Sequence, residues 1–159
     1  MHITIYTDGS SMGNPGPGGY GVVLMAGRHR RELSQGYRLT TNNRMELMAV
    51  IVGLEALKNP QSTVTIFTDS QYVFKAVEMK WVYDWERKFF AGKKNADLWK
   101  RFLKAYRCHS VTFEWIKGHA GNRENERCDQ LAVAAAKSQQ LLEDTEYEFQ
   151  KIITPNILL

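Results

Sequence analysis

The sequence has 159 residues, of which 43% are hydrophobic and 24% charged, and its formal net charge is +4. These values indicate one globular domain with its own core, and no apolar run approaches the roughly 18 residues of a membrane span. Residues 1–4 lack a secretory signal pattern, and two cysteines are too few for a disulfide framework, so we expect a cytoplasmic protein that binds no membrane.

Strand and helix patterns alternate from residue 3 onward. The predicted strands span residues 3–7, 22–25, 31–39, 64–68 and 111–116, the second and third joined as a hairpin through Gly27. The predicted helices span residues 42–57, 80–86, 96–106 and 122–136, and another opens at Asp69-Ser70-Gln71. Residues after 138 show no pattern that places them. This order predicts an α/β fold with a single five-stranded mixed sheet, antiparallel in its first three strands, parallel later, and covered by helices on both faces.

Two strands end in the same way, because Tyr6-Thr7-Asp8 and Phe67-Thr68-Asp69 each place an Asp after an aromatic-Thr pair. Ligands of open α/β sheets bind at the carboxyl ends of strands, and two neighbouring aspartates there repel unless a cation lies between them. The alternative is that each Asp is a turn or helix N-cap residue. The repetition favours a shared site.

Glu46 and Asp129 each have two interpretations. Glu46 and Asn43 have the spacing of a capping box, but small residues at Ala49, Gly53 and Ala56 predict a face that packs close to the sheet and carries Glu46 toward the strand ends. Asp129 shares a helix face with apolar residues, where an unpaired carboxylate is costly unless it binds a metal. Its alternative is a surface ion pair with Arg123, Arg127 or Lys137.

If the four acids converge, the ligand set is all oxygen, which favours Mg²⁺ or Mn²⁺ over zinc. Paired hard cations suit phosphodiester hydrolysis. His119 lies in a glycine-flanked loop, where a histidine can transfer protons near neutral pH, although a lone loop histidine more often has no catalytic role.

Two further patterns bear on the substrate. Residues 16–21 match G-x-G-x-x-G but run into a predicted strand, so we do not interpret them as a dinucleotide fingerprint. Residues 75–104, here called the basic segment, carry nine Lys or Arg against four Asp or Glu, interleaved with aromatic residues. An amphipathic helix pair with core aromatics is the alternative, and Trp99 and Phe102 fit it. The localised charge favours nucleic-acid binding.

These motifs closely resemble those of the bacterial type 1 ribonuclease H family. The matching segments are residues 6–10, 13–21, 40–47, 68–73, 115–121 and 124–129, in the family's order. The resemblance implies a ribonuclease H-like catalytic domain over residues 1–147, with a tail over 148–159. It also implies a monomeric endonuclease that hydrolyses the RNA strand of RNA–DNA hybrids by a two-metal-ion mechanism. Two Mg²⁺ ions, replaceable by Mn²⁺, are the expected cofactors, and the products are 3′-hydroxyl and 5′-phosphate ends.

The resemblance further assigns Asp8, Glu46, Asp69 and Asp129 as metal ligands and His119 as a catalytic residue. Together with the basic segment, it gives these expected substrate contacts: Gly9, Ser10, Asn14, Thr41, Asn42, Asn43, Gln71, Trp81, Trp85, Lys88, Lys93, Lys94 and Lys117. Three features depart from the family: a shortened basic protrusion over residues 86–94, Ser11 in place of a frequent cysteine, and an apolar end over residues 152–159.

Two other functions remain open at this point. A hybrid-binding module without catalysis would explain the basic segment, but clustered carboxylates repel phosphate in the absence of metal. A DNA-cutting relative, such as an integrase or junction resolvase, would share the fold. The Thr41-Asn42-Asn43 segment argues against it.

Overall fold

Strands dominate the first quarter of the chain, and helices alternate with strands after it. The fold is described from a computed structural model, which covers residues 2–117 and 121–157. The strands are β1 (His2–Ser11), β2 (Gly16–Ala26), β3 (His29–Thr40), β4 (Thr63–Thr68), β5 (Ser110–Trp115) and β6 (Leu141–Leu142). The helices are α1 (Asn42–Glu55), α2 (Gln71–Glu78), α3 (Trp81–Arg87), α4 (Ala96–Tyr106), α5 (Arg123–Ala136) and α6 (Thr145–Ile157).

The strands form one mixed sheet in the order β5-β4-β1-β2-β3-β6. β1, β2 and β3 pair in antiparallel fashion, whereas β4 joins β1, and β5 joins β4, in parallel. The predicted mixed sheet is confirmed, with the short β6 added beside β3. A two-residue strand has no periodicity, so the sequence did not predict it. The expected domain boundary between residues 147 and 148 falls inside α6.

Helices cover both faces of the sheet, and glycines set how closely they pack. A Cβ at Gly53 of α1 would lie 3.0 Å from the Ile5 side chain of β1. On the opposite face, a Cβ at Gly21 of β2 would lie 2.3 Å from the Cys128 carbonyl oxygen of α5. Residues 16–21 are therefore strand residues, and Gly19 and Gly21 among them allow α5 to approach. They do not open a helix, as a dinucleotide fingerprint must.

The core lies between the sheet, α1 and α4. Ten of the 14 residues of α1 are buried, because the helix is covered by the sheet on one side and by α4 on the other. Trp99 and Phe102 of α4 are fully buried, so these two aromatics of the basic segment belong to the core, as expected. No helix within residues 2–117 and 121–157 is long and apolar enough to cross a membrane.

A buried arginine joins three parts of the fold. Arg44, near the start of α1, is only 1% exposed and pairs with Asp97 of α4 and with Asp144, each at 2.8 Å. Asp144 also accepts a hydrogen bond from the Thr40 hydroxyl at 2.7 Å. Because Asp144 immediately precedes α6, this network fixes the start of that helix against α1.

We predict that Arg44→Met destabilises the protein by about 3 kcal/mol, because it leaves the buried Asp144 carboxylate without its cation. Urea denaturation measures the free energy of unfolding. Arg101→Met is the matched control, since Arg101 pairs with Glu55 at a surface where both side chains are at least 38% exposed, and its loss should cost no more than about 1 kcal/mol. Equal losses in the two variants would contradict the structural role of the Arg44 network.

Candidate active site

The repeated aromatic-Thr-Asp motif lies in register on two neighbouring parallel strands. Tyr6 of β1 pairs with Phe67 of β4, and their rings stack with centroids 4.8 Å apart. Asp8 and Asp69 each lie two residues beyond this pair, so the two carboxylates reach the same edge of the sheet. The prediction that β1 stops at Asp8 is wrong, because β1 continues to Ser11 by pairing with β2, where Asp8 lies opposite Gly21.

The helix caps belong to residues other than the candidate acids. The N-cap of α1 is Thr41, whose hydroxyl accepts a hydrogen bond from the Arg44 backbone N–H at 3.2 Å, so the capping-box interpretation of Asn43 and Glu46 is wrong. The N-cap of α2 is Ser70, whose hydroxyl accepts from the Val73 N–H at 3.2 Å. Asp69 is therefore not the cap of that helix.

Gly9 brings α1 onto the end of β1. A Cβ at this position would lie 2.3 Å from the backbone nitrogen of Glu46, so only glycine permits the approach. This contact carries the Glu46 side chain over the strand ends, as the small-residue face of α1 predicted. The Gly9 backbone N–H also donates a hydrogen bond to Asp8 Oδ1 at 2.9 Å, which orients that carboxylate.

Asp8, Glu46 and Asp69 form a carboxylate cluster, in which one oxygen from each lies within 4.8 Å of the others. Asp8 and Glu46 are each 6% exposed. Burial, and then the charge of Asp69, raises the pKa of Asp8 to about 7. Burial, and then the charges of Asp8 and Asp69, raises the pKa of Glu46 well above its ordinary value. Such a cluster is unfavourable when ionised unless a cation neutralises it.

The cluster fits a hard divalent cation. Glu46 Oε2 is buried and has no hydrogen-bond partner among the described residues, so one oxygen of this carboxylate lacks a protein donor. All the ligand atoms are oxygens, the type that Mg²⁺ and Mn²⁺ prefer. The residues present therefore suit the metal that the sequence predicted.

Asp129 lies beside this cluster rather than within it. It is half-buried on α5, and its charge is the smallest contribution to the raised pKa of Asp8. Arg127 pairs instead with Glu32 at 2.7 Å, and among the described ion pairs none joins Asp129 to Arg123 or Lys137. The structure thus brings three of the four predicted acids together and places the fourth within electrostatic range. His119 lies outside the described residues.

Several predicted substrate contacts surround the cluster. Gly9 and Ser10 follow Asp8 in β1, and Asn42, Asn43 and Gln71 occupy exposed positions at the starts of α1 and α2. The Asn14 side chain accepts a hydrogen bond from the Asn42 backbone N–H at 3.1 Å, which joins the β1–β2 loop to α1. Lys117 is exposed just after β5.

The basic segment presents both cations and aromatic rings. Trp81 is 43% exposed, while Trp85 is half-buried and makes an edge contact with Trp99 at 5.6 Å. Lys93 Nζ lies 5.1 Å from the Trp85 ring centroid, and Lys88 and Lys94 are exposed. Phe89, one of the aromatic residues interleaved with the basic side chains, was not among the predicted substrate contacts, yet it is 89% exposed although it is apolar. Its neighbours Arg87 and Lys88 are the sequence signal for that exposure.

Comparisons with known proteins identify the family. The RNase H family matches residues 1–137. A ribonuclease H from Desulforamulus reducens is 58% identical over 144 residues, covering 87% of this chain and 90% of the relative. The ribonuclease HI of Shewanella oneidensis is 51% identical over 151 residues, covering 92% and 94% respectively.

Two solved ribonuclease H structures have a fold similar to that of this protein. LC9-RNase H1, described as a type 1 RNase H with the type 2 active-site motif, has a TM-score of 0.79 at 33% identity, covering 94% of this chain and 80% of that one. LC11-RNase H1, solved in complex with an RNA/DNA hybrid, has a TM-score of 0.62 at 27% identity, covering 84% and 96% respectively.

The mixed sheet and the carboxylate cluster at the ends of its central strands place this protein in the class of metal-dependent nucleases that share this fold. Within that class, the chain belongs to the ribonuclease H family as a bacterial type 1 enzyme. It is therefore a hydrolase, an endoribonuclease of class EC 3.1.26.4.

We predict that Asp8→Asn stabilises the metal-free protein at pH 8 by about 1 to 3 kcal/mol. The pKa of Asp8 is about 7 in the folded protein against an ordinary 3.8, so the folded state binds this proton more tightly than the unfolded chain. Metal-free wild-type protein therefore loses stability as the pH rises from about 4 to about 7, and the variant loses less.

Urea denaturation in EDTA from pH 4 to pH 8 measures the effect, and Glu114→Gln is the control because Glu114 is exposed on β5. A variant that is no more stable than the wild type at pH 8 would show that the acids do not repel. Adding Mg²⁺ should stabilise the wild type more than the variant, since binding to the folded state adds stability.

Proposed function

We propose that this protein hydrolyses the RNA strand of RNA–DNA hybrids with two Mg²⁺ ions held by Asp8, Glu46, Asp69 and Asp129. The observation that carries the proposal is the buried carboxylate cluster with its unpartnered Glu46 oxygen. The relative solved with an RNA/DNA hybrid supports the substrate. Mn²⁺ is the expected substitute, because it has the same preference for oxygen ligands. The expectation of a cytoplasmic monomer, with its catalytic domain over residues 1–147, stays a prediction.

Each acid has a distinct position for holding metal. Asp8 lies on the central strand, near both Glu46 and Asp69, so it would hold metal together with each of them. Glu46 comes from α1 and Asp129 from α5, which pack on opposite faces of the sheet, so these two acids would approach Asp8 from two sides. When bound, divalent cations supply Lewis acidity at the phosphodiester and lower the pKa of an attacking water. The cleavage leaves 3′-hydroxyl and 5′-phosphate ends.

Residues around the cluster orient and bind the substrate in this proposal. The Gly9 N–H holds the Asp8 carboxylate in place. Exposed Asn42, Asn43 and Gln71 are placed to contact the groove of the hybrid and its 2′-hydroxyls, which distinguish RNA from DNA. Lys88, Lys93 and Lys94 supply cations for the phosphate backbone. We assign His119 a proton-transfer role that helps either the attacking water or the departure of the product.

The decisive experiment is a cleavage assay with a labelled RNA–DNA hybrid. Wild-type protein should cut the RNA strand with Mg²⁺ and stop when EDTA is added. Asp8→Asn should lower kcat by about 10³-fold or more, because it removes several kcal/mol of metal-dependent stabilisation. Glu114→Gln, an exposed strand carboxylate, should cut at the wild-type rate.

The same assay separates the alternatives. Equal cutting of a DNA–DNA duplex would select a DNA-cutting relative. Binding that is unaffected by EDTA, without any cleavage, would select a hybrid-binding module. The downstream RNA fragment should resist 5′-end labelling by a kinase until a phosphatase removes its 5′-phosphate. A fragment that accepts label directly would overturn the proposed product ends.

A further inference from the structure

A polar cavity of about 520 Å³ lies between the start of α1 and the C-terminal helix α6. Asn14, Thr41 and Asn43 line one side, and Tyr147 and Lys151 of α6 line the other. Lys94 of the basic segment also lines the cavity. The lining therefore includes two ammonium groups, several neutral hydrogen-bonding groups and no carboxylate, which is the composition of an anion site.

The helix that supplies Lys151 is firmly placed. Arg44 pairs with Asp144 just before α6, and its guanidinium lies 5.7 Å from the Tyr147 ring centroid. On the same ring, Lys151 Nζ lies 5.6 Å from the centroid. Arg38 forms a further ion pair with Glu148 of α6 at 2.9 Å. These contacts hold the first two turns of α6, and with them Lys151, beside the cavity.

The charge of Lys151 is available to a ligand. The residue is exposed, and no carboxylate in residues 2–117 and 121–157 forms an ion pair with Lys151 or with Lys94. The nearby acids Asp97, Asp144 and Glu148 are paired with Arg44 or Arg38. The two ammonium groups that line the cavity therefore have no carboxylate partner among the described residues.

We propose that α6 forms a second wall of the substrate groove and that Lys151 binds a backbone phosphate of the nucleic acid, with Lys94 also lining that phosphate site. This inference rests on the proposed function, because the ligand is the polyanionic substrate of the same enzyme. Two lysines, side-chain amides and the Thr41 hydroxyl are the groups that contact phosphates in nucleic-acid complexes.

The cavity lies at a suitable distance from the carboxylate cluster. Thr41 and Glu46 are five residues apart at the start of α1, which corresponds to about 7.5 Å along a helix axis. Successive phosphates of one strand are about 3.4 Å apart along a duplex axis. A phosphate beside Thr41 is thus about two nucleotide steps from the carboxylates, within the length of duplex that one small domain contacts.

The test compares Lys151→Ala and Lys151→Arg with Lys58→Ala. Lys58 is the control because it is exposed and precedes β4, whose other end leads to Asp69, so it lies far from the groove. The dissociation constant for a fluorescent RNA–DNA hybrid is measured by anisotropy in EDTA at several salt concentrations. Steady-state cleavage with Mg²⁺ gives kcat and KM separately, and thermal melting checks that each variant is folded.

Lys151→Ala should raise both Kd and KM about 3-fold to 10-fold, with kcat unchanged, because one ionic contact is lost away from the reacting atoms. The slope of log K against log salt should fall by about 0.9, the value for one phosphate contact. Lys151→Arg should stay near the wild type, and Lys58→Ala should equal it.

Wild-type Kd, KM and salt slope in folded Lys151→Ala would overturn the role of α6, as would an equal change in Lys58→Ala. The proposed function fails separately, if the wild-type protein does not cut the hybrid. A protein that binds the hybrid through Lys151 but does not cut it would keep the α6 site and remove the catalytic proposal.

Discussion

The parallel pairing of β1 with β4 is the constraint on which the site depends. It aligns Tyr6 with Phe67 and thereby aligns the carboxylates that follow two residues later. A one-residue change in this register would move one aspartate to the opposite face of the sheet, because strand side chains alternate. The stacked rings and the buried Thr7 and Thr68 resist such a change. The hydrophobic core therefore fixes the spacing of groups that repel each other.

Close packing around the acids holds their carboxylates near one another although their negative charges repel. Gly9 lets α1 approach β1 so closely that a Cβ at residue 9 would overlap the Glu46 backbone. Gly21 lets α5 approach from the other face. The raised pKa values of Asp8 and Glu46 show that this arrangement is unfavourable without a cation. A site of this kind destabilises the metal-free protein, and the free energy of metal binding offsets that cost in the working enzyme.

Much of this could be predicted from the sequence, because strong periodicity marked the strands and because the aromatic-Thr-Asp motif occurs twice. The failures have local causes. The sequence did not show that β1 passes Asp8, because residues 8–11 have the composition of a turn and only their pairing with β2 makes them strand residues. The capping-box spacing of Asn43 and Glu46 misled because Thr41 caps the helix two residues earlier. β6 was missed because it has only two residues, and α6 was missed because ion pairs across the fold, rather than local patterning, hold it.

The buried Arg44 network joins residues that the ribosome synthesises many seconds apart. Arg44 and Asp144 are separated by 100 residues, so at about 5–20 residues per second the arginine waits roughly 5 to 20 s for this partner during synthesis. Until then the Arg44 guanidinium, which is buried in the folded protein, has Asp97 but not Asp144 as an ion-pair partner, and the start of α6 is not held against α1. A nascent chain therefore completes the Arg44 network only after Asp144 has emerged from the ribosome.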